Sequence, residues 1–254
     1  MIYNKYVEEK ENFKMANPIL NDRFTQTEGV IGGQVMTVNG TLDKTFLLFL
    51  CAMLPAAYTW QQFTAGFTDK AGMLMTVTSV TGFVLALIIS FTRNKILTPL
   101  YAMCEGLFLG GISAVFNASY PGIVIQAVLA TFATMFSMLG LYRIGAIKCT
   151  DKFRSIVFIA TISVAVLYLM QWIGSFFHYS IPAIFGAGTI GIGFSILVVG
   201  IAALNLILDF DFIEKGSQAM LPKDYEWYGA FGLMVTLVWL YIEILRLLAK
   251  LRDR

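Results

Sequence analysis

Seven runs of about twenty predominantly apolar residues follow one another along this chain, and they decide its class before any motif is read. A helix needs roughly twenty apolar residues to cross the hydrocarbon core of a bilayer. The runs are about Thr45–Gln62, Gly72–Thr92, Thr98–Asn117, Gly122–Tyr142, Ser155–Phe177, Ala183–Leu208 and Tyr228–Leu248. Hydrophobic residues make up 57% of the 254 and charged residues only 13%, so a water-soluble fold could not hide the surplus. A β-barrel would read as short alternating segments, which are absent. The expected fold is an all-α integral membrane protein, a seven-transmembrane-helix bundle over residues 45–251. A polar N-terminal tail, residues 1–44, precedes it.

Lysine and arginine in the short loops set the expected orientation. The loops after runs two, four and six carry Arg93 and Lys95, then Arg143, Lys148, Lys152 and Arg154, then Lys215 and Lys223. The loop after run one carries only Lys70, and those after runs three and five carry none. The even loops and the N-terminus are thereby placed in the cytoplasm. Lys250, Arg252 and Arg254 dissent, since full crossing of the last run, the reading preferred here over a re-entrant segment, puts them outside.

Glycines supply the expected helix contacts. Gly106 and Gly110 form a G-x-x-x-G in run three, and Gly186, Gly193 and Gly200 recur every seven residues in run six. Trp60, Trp172 and Trp227, near run ends, read as interfacial anchors, whereas Trp239 lies deeper.

Several chemistries drop out. A net charge of +2 is too weak to suggest nucleic-acid binding, and no P-loop or dinucleotide fingerprint points to a nucleotide. The single histidine, His178, reads as a loop residue and rules out a two-histidine zinc motif. Neither Gly186-Ala-Gly188 nor Gly191-Ile-Gly193 is followed by the aspartate that an intramembrane aspartyl protease would need. No enzyme activity and no cofactor are expected.

What remains is charge at depth. Asp209 closes run six and Glu243 lies inside run seven, where an acid costs roughly 2.5–3.5 kcal/mol and so marks a functional site by default. Two carboxylates brought together in low dielectric share a proton. Such a pair can close two helices when protonated, open them when ionised, and then offer oxygen ligands to Ca²⁺. The bland alternative leaves Asp209 at an interface and Glu243 paired with Arg246, three residues on. Asp211 is rotated about 200° from Asp209 on a helix and is positioned to pair with Lys215 instead. Glu105, a lone acid beside the G-x-x-x-G, could line a path or bond a neighbouring helix.

Three stretches carry a resemblance: PLYAMCEGLFLG from Pro99 to Gly110, LNLILDFDFIE from Leu204 to Glu214, and WLYIEILRLL from Trp239 to Leu248. Together they resemble the Bax inhibitor-1 family, closest to its bacterial members, across nearly all of the membrane part. The resemblance implies seven helices with the last one central, in a bacterial cytoplasmic membrane. It also implies a pH-sensitive passive Ca²⁺ leak gated by an acidic pair, Asp209 with Ile213 four residues on, and Glu243 after Leu240-Tyr241-Ile242. Glutamate stands here where the family commonly has aspartate. Arg93 is the nearest match to the family's competing cation at the end of run two. The alternative it implies is a membrane-embedded modulator of a membrane protease or of a stress or cell-death signalling partner. Its other partners would be the lipid bilayer, Ca²⁺ and H⁺.

Overall fold

The computed structural model describes residues 34–177 and 181–253; most of the polar tail, His178 and Arg254 lie outside the described residues. Seven long helices account for the seven apolar runs: α1 (Val38–Thr64), α2 (Thr68–Thr92), α3 (Leu97–Ser119), α4 (Ile123–Arg143), α5 (Asp151–Phe176), α7 (Thr189–Gln218) and α8 (Tyr225–Arg252). A single turn, α6 (Pro182–Phe185), precedes α7. All seven are long and apolar enough to cross a membrane.

Two boundaries differ from the sequence expectation. First, α1 begins at Val38 rather than near Thr45, so the last seven residues of the expected tail are helical. Thr37 starts it, its hydroxyl accepting a hydrogen bond from the Gly40 N–H at 2.9 Å. Second, the sixth run is broken at Gly186–Gly188, and α7 then continues nine residues past Asp209 to Gln218. Hydropathy falls at the acids, but the ion pairs of Asp211 described below sustain the helix through them. In the last run, α8 is a continuous 28-residue helix, about 42 Å long, with no re-entrant break.

The most buried helix is α8, whose main contacts are with α7, α1, α4 and α3. The other two long helices sit at the flanks, α2 against α3 and α1, and α5 against α7. Met234, Leu240 and Leu245 of α8, Leu206 and Ile207 of α7, and Leu48 of α1 are fully enclosed.

The G-x-x-x-G works as expected. A Cβ on Gly106 would strike the Ala52 carbonyl of α1, and one on Gly110 the Ala56 carbonyl, so α3 and α1 meet backbone to backbone. The seven-residue glycine stripe does not. Gly186 lies in the loop, and Cβ atoms on Gly193 and Gly200 would meet nothing. The face of α7 that packs carries Ile192, Ser195, Val198, Ala202 and Leu206 instead. Gly106→Ala should therefore destabilise the protein by about 2 kcal/mol or more, because rigid backbone must move. Gly193→Ala should be neutral or stabilising through helix propensity. Thermal unfolding of the two variants in detergent separates these outcomes.

Candidate functional site along α7 and α8

Asp209 points at α8. Its Oδ1 lies 3.6 Å from where a Cβ on Gly232 would stand, and the Thr236 hydroxyl, one turn on, is its polar neighbour. Gly232 makes room for the carboxyl. Its other oxygen, Oδ2, is sealed from solvent and has no hydrogen-bond partner. No cation faces it from the neighbouring turn of α8.

Glu243 is elsewhere. It is 1% exposed, and both its oxygens are taken. The Tyr168 hydroxyl of α5 donates to Oε2 at 2.8 Å, and Arg246 donates to Oε1 at 3.2 Å. Seven residues of α8, about 10 Å of rise, separate it from Thr236, the residue beside Asp209. The structure thus does not join Asp209 and Glu243 through a hydrogen bond. The expected shared-proton pair is absent from this conformation, and so is a two-acid Ca²⁺ site. The physical reason is register: the level of α8 that meets Asp209 carries Gly232 and Thr236. Among the described residues no three acidic, histidine or cysteine side chains gather as a metal site.

Asp211 faces the other way, as its 200° rotation requires. Lys215 pairs with its Oδ1 at 3.0 Å, the expected one-turn contact. Arg154 of α5 pairs with its Oδ2, and both residues are buried. Arg154 also donates from Nε to the Cys149 sulfur at 3.3 Å. Burial pushes the Cys149 thiol up, against the pull of that arginine, so the sulfur accepts as a neutral thiol. On sequence, Arg154 was only one of four loop cations, and nothing in its spacing tied it to Asp211.

A polar clamp closes the end of the bundle that bears the N-terminal segment. Lys223, Asp224, Tyr225 and Glu226, four consecutive residues, hold Gln34, Lys95, Arg93 and Lys44 respectively. Backbone bonds add to it, Met36 N–H to Leu221 at 2.7 Å and Lys223 N–H to Gln34 at 3.0 Å. Glu226, fully buried, also accepts from the backbone and hydroxyl of Thr37, capping the start of α1. Arg93 belongs to this clamp. It takes a left-handed backbone (φ 53°) at the end of α2 and sets its guanidinium on Tyr225. Tyr225 is 18 residues, about 27 Å of rise, from Glu243, so Arg93 is not that acid's competitor in this conformation.

Glu105 lies half-buried between α3 and α2, its Oε1 at 3.3 Å from a Cβ position on Gly82. Tyr101, one turn before it, turns its hydroxyl toward the carboxyl and sets its ring edge against Phe231 of α8. The opposite end of the bundle holds a cavity of about 810 Å³, lined by Glu243, Arg246 and Lys250 of α8 and by the ends of α3, α5 and α7.

The sequence matches the family described as Bax inhibitor 1 like over residues 12–253. The chain belongs to that family. Its membership covers all seven helices and both acids, and the three stretches quoted above fall inside the match. No curated protein matches the chain.

Proposed function

We propose that this family member is a passive, non-enzymatic, pH-sensitive cation leak, with Ca²⁺ among the ions carried and Asp209 as its sensor. One observation carries the reading: the Oδ2 of Asp209 is sealed between α7 and α8 without a donor. An ionised carboxylate enclosed in this way costs several kcal/mol, so the packing accommodates Asp209 with its proton on. Rising pH strips that proton, leaves an unsupported anion in the seam, and drives α7 and α8 apart. The leak then opens with rising pH.

The remaining parts fit a closed state. The clamp of residues 223–226 shuts one end, and at the other the cavity ends on a Glu243 neutralised by Arg246. The excess of lysine and arginine in the even loops supports a cytoplasmic location for the clamp. Ion entry requires Arg246 to swing off Glu243, baring a carboxylate at the cavity floor. The full-length protein in liposomes loaded with a Ca²⁺ dye tests this. Dye response should appear without ATP, rise in proportion to the gradient, and grow from acid to neutral pH. A silent protein at every pH would remove the leak and favour the modulator reading, in which the chain acts through a partner.

A further inference from the structure

The cavity beside Glu243 has a surplus of donors. Both oxygens of Glu243 are taken, by Tyr168 and Arg246, and the exposed Asp253 accepts the Tyr120 hydroxyl with Oδ1. The cavity's cations are partnered but keep donors to spare. Arg246 donates to Glu243, also meets the Tyr168 hydroxyl and stands 5.0 Å over that ring, which leaves part of its five N–H donors unspent. Lys250 spends two of three on the Gly191 and Ile184 carbonyls, at 3.0 and 3.4 Å. Gln171 accepts from Ile181 with its oxygen, which leaves its amide N–H₂ as donor. The rest of the wall is mainly apolar, made by Phe116, Trp172, Phe185, Trp239 and Ile242, with the hydroxyls of Ser175 and Ser195 among them.

Depth and access narrow the ligand further. From Glu243 to Asp253 the cavity follows ten residues of α8, about 15 Å. The helix as a whole matches the roughly 40–45 Å of a bilayer with its headgroups, so the cavity straddles the headgroup layer and the first part of the hydrocarbon. Its α5 wall packs mainly on α7, and Trp172 on that wall is 61% exposed, so the cavity is open toward the bilayer. A volume of about 810 Å³ suits a headgroup with the start of its chains.

We infer that this cavity binds one anionic phospholipid, its phosphate on Arg246, Lys250 and Gln171 and its chains along the aromatic wall. Donors left over on cations call for an anion, and the apolar wall at hydrocarbon depth calls for a tail. The site does not depend on the leak, since lipid binding is read without ion flux.

Native mass spectrometry of the full-length protein in neutral detergent tests it, with phosphatidylglycerol and phosphatidylcholine of identical chains in equal amounts. The wild type should retain one phosphatidylglycerol per chain in preference to phosphatidylcholine. Arg246→Gln should weaken that retention about tenfold, the loss of one charge-assisted contact. Ser175→Trp, at an exposed position lining the cavity, should block retention while leaving the thermal transition in place. Equal retention of the two lipids, or undiminished retention in both variants, would overturn the assignment. So would displacement of the lipid by inorganic phosphate alone, which would make the site one for a free anion.

Discussion

Asp209→Asn should give a leak that no longer responds to pH. The amide has nearly the same shape and no proton to lose, so the α7–α8 seam stays in its closed packing throughout. Wild-type Ca²⁺ flux should climb as pH rises, at most about tenfold per pH unit because one proton is linked. The variant's flux should stay at the wild type's acid-side level. Glu243→Gln should behave differently, because Glu243 is held by Tyr168 and Arg246 rather than sealed alone. It should change the size of the flux and keep its pH dependence. Flux through the Asp209→Asn protein that still rises with pH would transfer the sensing role to another group.

Arg154→Met should be strongly destabilising. It leaves the buried Asp211 carboxylate with Lys215 as its ion-pair partner, partly exposed, and with the neutral Cys149 thiol. Breaking a buried pair from one side costs about 3 kcal/mol or more, since the orphaned charge stays behind. Replacing both partners, Arg154→Met with Asp211→Leu, should recover most of that loss. The double variant keeps Asp209 and should keep the pH dependence of flux. Denaturation in mild detergent, read by loss of monodisperse protein on heating, reports the first effect, and the liposome flux reports the second. If the double variant is no more stable than the single one, the ion pair is not what secures α5 to α7.

These expectations rest on features that the sequence carried unequally. Helix number and approximate ends follow from hydropathy, because lipid forces each span to be apolar over its whole length. Gly106 and Gly110 could be read as contacts because their spacing fits a helix face, and Ala52 and Ala56 of α1 complete it. The same reasoning failed for Gly193 and Gly200, which have the period but lie on a face with no neighbour. Rotation was legible for Asp209 and Asp211, since both are on one helix and 200° apart whatever packs against it. Register between helices was not. Which level of α8 stands opposite Asp209 depends on the loop of residues 219–224 and the clamp around it, and it brings Thr236 rather than Glu243. Glu226 and Arg154 were invisible for a related reason: each draws its partner from a helix far away in sequence, Lys44 and Asp211.

In the proposed closed bundle Asp209 carries its proton. Infrared difference spectroscopy sees that proton directly, as the carbonyl stretch of a neutral carboxylic acid. In reconstituted wild-type protein this band should fade as pH rises, with the same midpoint as the gain in Ca²⁺ flux, and the Asp209→Asn protein should lack it. A band that is unchanged by Asp209→Asn, or one absent from the wild type at every pH, would contradict the account.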